Sequence, residues 1–153
     1  MTIAPIVRSV EVKASPARAF DLFVSGIGAW WPAGMTIGPS PPVAIKLEPH
    51  VGGAWFETAE DGTVTQWGDV LAWEPPSRLL LAWRIGTTWA YDPELLTEVE
   101  LSFEPAGEGR TKVTLEHRKL EALGADAAKH ADQLGNGWPG FLVKFSEYVE
   151  AQA

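Results

Sequence analysis

Three histidines, two acids set among apolar strand residues and eight tryptophans are the side chains with which this sequence could do chemistry. His50, His117 and His130 are far apart, and none stands at the i, i+4 spacing of a helical metal pair, so no metal site is expected. His50 falls in the turn Pro49-His50-Val51-Gly52 and His130 on a surface helix, which predicts solvated imidazoles for both. His117 differs. It keeps step with Val113 and Leu115 in a stretch of strict alternation, so its ring is expected to face the interior side of a sheet. Desolvation there disfavours the cation, and the expectation is a neutral ring at pH 7 that donates one hydrogen bond. Two roles stay open: a bond to a protein acceptor in the core, or a bond to a ligand in a pocket. Glu57 and Asp69 are the acids that could pair with it. The alternation around Trp55 and Trp67 leaves their faces undecided, and solvent exposure is expected of both.

The aromatic residues carry the stronger argument. Trp55, Trp67, Trp83 and Trp138, with Phe103, Phe141 and Phe145, can line one cavity, and His117 is the polar group placed to join them. An aromatic wall with few polar groups suits a planar or greasy small molecule. The same side chains can equally fill a core. Trp30, Trp31 and Trp89 fall in helix or loop, where they are candidates for the rim or lid.

No catalytic residue is assigned. The sequence has no G-x-S-x-G elbow, P-loop or H-E-x-x-H, and Gly26-Ile27-Gly28 lacks the third glycine of a dinucleotide fingerprint, so no cofactor is expected. With no cysteine there is no disulfide, thiolate metal site or cysteine nucleophile. A formal charge of −8 without a basic patch argues against nucleic acid and anionic membranes as partners. The start, Met1-Thr2-Ile3-Ala4-Pro5, lacks the pattern of a signal peptide, and no apolar run approaches a membrane span, so a cytoplasmic protein is expected.

The elements that must position these residues can be read from the punctuation. Residues 6–13 alternate as a strand. Ser15-Pro16 begins a short helix with a serine cap and proline in the first turn, and residues 25–31 form a second. Residues 33–42 are proline-rich loop. Strands follow at 43–48, 53–59, 64–74, 78–85, 97–104 and 111–118, with Asp61-Gly62 as a hairpin turn and Pro75-Pro76 as a stop. Residues 86–96 are loop. Residues 120–135 are partly helical, and a final helix begins with Pro139 in its first position, where the missing N–H costs nothing. Trp138, Phe141, Leu142, Phe145, Tyr148 and Val149 mark its apolar face. At 153 residues the chain is expected to be a single domain, 1–153, of α+β class: a curved antiparallel sheet of about seven strands under a C-terminal helix.

The order of these elements resembles a known family. So do the stretches Val51-Gly52-Gly53-Ala54-Trp55-Phe56-Glu57, Asp69-Val70-Leu71-Ala72-Trp73-Glu74-Pro75-Pro76, Leu79-Leu80-Leu81-Ala82-Trp83, Thr97-Glu98-Val99-Glu100-Leu101-Ser102-Phe103 and Gly137-Trp138-Pro139-Gly140. The chain is similar, over essentially its whole length, to the bacterial relatives of the C-terminal domain of the heat-shock-protein ATPase activator. They form a branch of the SRPBCC superfamily, whose helix-grip fold is shared with START lipid-transfer domains. The resemblance implies a cavity between sheet and final helix for apolar or aromatic molecules. It does not fix one activity, since members include carriers, cyclases, hydrolases and co-chaperone domains. The first expectation is a binder of a hydrophobic or aromatic small molecule, as monomer or homodimer. The second is a cyclase- or hydrolase-like enzyme using the same cavity, with His117 or a nearby carboxylate moving a proton. The third is a module acting on a chaperone ATPase. That activator domain works beside a separate N-terminal domain, for which this sequence leaves no room.

Overall fold

The alternating stretches become strands and the glycine and proline clusters become turns. In the computed structural model, which describes residues 2–152, they form one seven-stranded antiparallel sheet. The strands are β1 (Ile6–Val12), β2 (Pro42–Leu47), β3 (Ala54–Ala59), β4 (Val64–Glu74), β5 (Arg78–Trp83), β6 (Thr97–Pro105) and β7 (Thr111–Arg118). Their order is β1-β7-β6-β5-β4-β3-β2, a meander from β2 to β7 with β1 added beyond β7. Two helices, α1 (Pro16–Ser25) and α2 (Ile27–Trp30), lie between β1 and β2, and α3 (Ala127–Ala151) follows a 3-10 turn at Leu120–Leu123. Ser15 caps α1 by accepting from the Arg18 N–H at 3.3 Å, ahead of Pro16, as its sequence predicts. The α+β arrangement is the one expected.

β6 and β7 show how alternation sets the faces. Val99, Leu101 and Phe103 stand opposite His117, Leu115 and Val113, and all six are buried. On the other face Glu98 opposes Arg118 and Glu104 opposes Lys112, pairings that favour this register. Glu100 faces Glu116, and Arg118 lies between them at 3.0 and 3.4 Å, which offsets the like-charge contact.

β3 and β4 break the simple alternation. Their register shifts between Trp55 and Phe56, where Trp67 and Gly68 form a bulge. The extra residue brings Trp67 to the same interior side as Trp55, and both are 1% exposed. Gly68 is needed there, because a Cβ would lie 1.8 Å from the Ala82 carbonyl oxygen.

The final helix differs from expectation. It runs unbroken for 25 residues from Ala127, and Pro139 lies inside it rather than at its start. An internal proline cannot donate to the carbonyl four residues earlier, here that of Gly135. The Arg8 guanidinium on β1 donates to that oxygen instead, at 3.0 Å. The helix continues because a neighbouring strand supplies the donor that its own backbone lacks. Among the described residues no helix is long and apolar enough to cross a membrane.

Candidate functional site

Between the upper sheet and α3 is a cavity of about 370 Å³. Trp67, Trp83 and Ile85 form its floor. Leu134, Gly137, Trp138 and Phe141, with Gln133, present the stripe of α3. Trp31 and the loop residues Gly34 to Ile37 close a third side, and Trp89 stands over the mouth, 46% exposed. The rings form a continuous network. Trp31 lies 4.9 Å from Trp67 and 4.6 Å from Phe141, and Trp138 lies 5.4 Å from Trp83 and 5.1 Å from Phe141. These are edge-on or tilted contacts, in the range favoured by aromatic quadrupoles.

The structure divides the eight sequence-predicted residues. Trp67, Trp83, Trp138 and Phe141 line the cavity. Trp55 packs behind the floor, 5.4 Å from Trp67 and 5.7 Å from Trp83. Phe103 and Phe145 belong to a second aromatic cluster with Phe20, Phe23 and Trp30, away from the cavity wall. Of the three rim candidates, Trp30 is buried in that second cluster, Trp31 is a buried wall, and Trp89 is at the mouth.

His117 is buried beneath Trp83 and Trp138, and its two ring nitrogens have opposite duties. The Trp138 indole N–H donates to Nδ1 at 3.2 Å, so Nδ1 carries no proton. Nε2 lies 2.9 Å from the Thr97 hydroxyl, whose own hydrogen goes to the Trp83 carbonyl at 2.8 Å. Nε2 must therefore carry the proton and donate. The ring is the neutral Nε2–H tautomer, and burial, helped by nearby His130, pushes its pKa down to about 3. Of the two roles left open, the partners observed are protein groups. The relay ties α3 to β7, β6 and β5.

Two expectations for the other polar residues are corrected, those for Glu57 and His130. Glu57 is 1% exposed, not solvated, because it keeps phase with Trp55 and Ala59 on the inner face of β3. Its Oε1 accepts from the N–H groups of Ile37 and Gly38 at 2.8 and 3.0 Å and from the Trp67 indole at 2.9 Å. It thereby clamps the 33–41 loop that walls the cavity. A Cβ on Gly38 would lie 2.7 Å from Glu57 Oε2, so the close approach of loop to carboxylate requires glycine. Asp69 pairs with Arg84 at 2.6 Å rather than with His117. His130 is 3% exposed, covered by Trp89 at 4.6 Å between ring centroids, and burial lowers its pKa. Among the described residues no group of three acids or histidines is placed to hold a metal.

Sequence reasoning missed Ile85, Leu134, Gln133 and the 34–37 loop as wall. Leu134 was in principle accessible, since it stands four residues before Trp138 and seven before Phe141 on one helical stripe. The loop carries no such period.

The family model for activator of Hsp90 ATPase homolog 1-like protein matches residues 13–150. Among solved structures, the anthrahydroquino-γ-pyrone synthase Txn09, complexed with SUM, is 35% identical with a TM-score of 0.68, over 96% of this chain and 97% of that one. The self-sacrificing resistance protein CalC from Micromonospora echinospora is 26% identical with a TM-score of 0.68, over 97% and 96% of the two chains. The Aha1 dimer from Colwellia psychrerythraea, 16% identical with a TM-score of 0.66 over 97% of each chain, shares the fold. A search of curated proteins finds no match.

Proposed function

This chain belongs to the family of activator of Hsp90 ATPase homolog 1-like proteins, and from that footing we propose that it holds a hydrophobic or aromatic small molecule between the sheet and α3. The observation that carries the reading is the wall itself: Trp31, Trp67, Trp83, Trp138 and Phe141 around one recess of about 370 Å³. Ligand cavities run from about 300 to 1,000 Å³ and are mostly apolar with a few polar groups, and this one fits that description. Flat rings on several sides favour a flat guest over a flexible chain, because stacking and edge contacts need planar partners.

One comparison favours a second reading, an enzyme of the cyclase kind: the 35% identity to Txn09, which is named as a synthase. Thr36 and Gln133 are the uncharged polar side chains of the lining, and it contains no carboxylate, histidine, lysine or arginine. Such an enzyme would act by holding its substrate in a reactive shape and excluding water, without an acid or base from the wall. A chaperone-directed role has only the family name and a likeness of fold to the Colwellia protein in its favour.

The test is a fluorescence titration. Anthracene, taken as a planar hydrocarbon probe, should change tryptophan emission saturably, and Trp83→Ala or Phe141→Ala should change its affinity. Native mass spectrometry of freshly purified protein should show a retained small molecule. If a broad panel of planar aromatics gives no saturable response, the rings are core and the reading fails.

A further inference from the structure

His130 and Trp89 meet at the cavity mouth, and each carries an unrelieved cost. His130 is on α3 one turn before Leu134 and three residues before Gln133, both of which line the cavity. Its side chain is buried, and Nε2 has no hydrogen-bond partner. A buried polar atom left unpaired forgoes the bond that water would provide, and native structures seldom leave one without a use. Trp89 lies against that ring at an interplanar angle of 52°. Its backbone is left-handed, with φ 58°. For a bulky side chain this conformation is strained.

Trp89 is the exposed member of the pair, with 46% of its surface accessible. It stands at the tip of a short loop pinned at its base by the Ile85–Tyr91 bridge and by the Gly86 N–H bonded to the Ala90 carbonyl at 3.0 Å. The Trp89 N–H is bonded to the Gly86 carbonyl at 2.9 Å, so the motion open to the residue is rotation of its indole about the side-chain bonds with the turn intact. Such a rotation would lift the indole off the His130 ring and enlarge a cavity whose 370 Å³ is near the small end for ligand sites.

We propose that Trp89 is a gate and that His130 is the polar recognition group behind it, so that a planar aromatic ligand bearing a hydroxyl displaces the indole and hydrogen-bonds Nε2. A hydroxyl suits the position because it both donates and accepts, and so pairs with either tautomer of a neutral imidazole. The inference rests on the small-molecule reading of the cavity and adds to it the ligand's polar group and its route of entry.

The experiment compares anthracene with 2-hydroxyanthracene on the wild type, His130→Phe and Trp89→Gly. The wild type should bind the hydroxylated probe about tenfold more tightly, as one added hydrogen bond allows. His130→Phe should bring that ratio to about one and leave anthracene affinity nearly unchanged. Trp89→Gly should fold, since glycine adopts the left-handed conformation without strain. It should keep the preference and bind both probes with faster association. A preference that survives His130→Phe, or no preference in a wild type that binds anthracene, overturns the role of His130 and leaves the cavity reading standing. Association no faster in Trp89→Gly overturns the gate. Failure of both probes to bind any variant defeats the cavity reading and this inference together.

Discussion

His117, Glu57 and His130 are three buried polar side chains whose neighbours decide their chemistry. His117 has both nitrogens committed, so protonation requires breaking the bond from Trp138 as well as desolvating a charge. The sign of the pH effect follows. Its folded pKa of about 3 lies below the ordinary 6.5, so the unfolded chain binds the extra proton, and stability falls as pH drops below 6.5. The slope from His117 alone should approach about 1.4 kcal/mol per pH unit, and His130, also lowered by burial, adds in the same sense. Glu98 and Glu100 start from 4.5; burial raises them, but hydrogen bonds from Lys119, Arg118 and Arg78 outweigh it, so they contribute only below that pH. Urea denaturation at pH 7, 6 and 5 should show the loss, and His117→Gln should flatten it. A wild-type stability that is level across this range would contradict the buried tautomer. Glu57→Ala should cost about 3 kcal/mol or more, since three N–H donors lose their acceptor, and should expose the 33–41 loop to limited proteolysis. Unchanged proteolysis would show that the loop does not need the clamp. The inward direction of His117 was legible in its phase with Val113 and Leu115. Glu57 was not, because Trp55 and Phe56 are adjacent aromatics on opposite faces of β3, and either one marks a buried side as well as the other. His130 was not, because its cover is Trp89, in a loop well upstream in the chain.

At the scale of elements, the strands were readable because each hairpin is punctuated and each faces water on one side. The start of α3 was misread for a reason that local sequence does not contain. Pro139 is a good first residue of a helix and a poor interior one, and the choice is made by Arg8, which donates to Gly135 from the far end of the chain. Arg8→Met should therefore destabilise by about 1–3 kcal/mol, the cost of a buried carbonyl left unpaired. Pro139→Ala restores an N–H to that carbonyl, so in the Arg8→Met background it should recover most of the loss. A double-mutant cycle by chemical denaturation measures the coupling. Additive effects would mean that Arg8 and Pro139 do not share the Gly135 oxygen.

For the molecule as a whole, the aromatic residues form one network joined at Trp30 and Trp31, 5.6 Å apart, closely packed around Phe23 and open around Trp31. The two parts are similar in composition, which is why sequence alone grouped Phe103 and Phe145 with the cavity. Stability can tell them apart. Phe145→Ala, at a fully buried position, should cost about 3–5 kcal/mol, while Phe141→Ala, already beside empty space, should cost clearly less. Equal losses would mean that the recess is closed in solution. The placement of β1 has a further consequence, in time rather than space. Arg8 pairs with Leu115 in β7 and serves α3 beyond it, so β1 is made well before either of its partners. At a synthesis rate of about 5–20 residues per second it waits roughly 5–20 s on the ribosome with both edges open. Arg8 and Glu11 interrupt its apolar residues, and charges on an unpaired strand discourage pairing with another nascent chain. The alternation that later sorts core from solvent also serves, during that interval, as protection against aggregation.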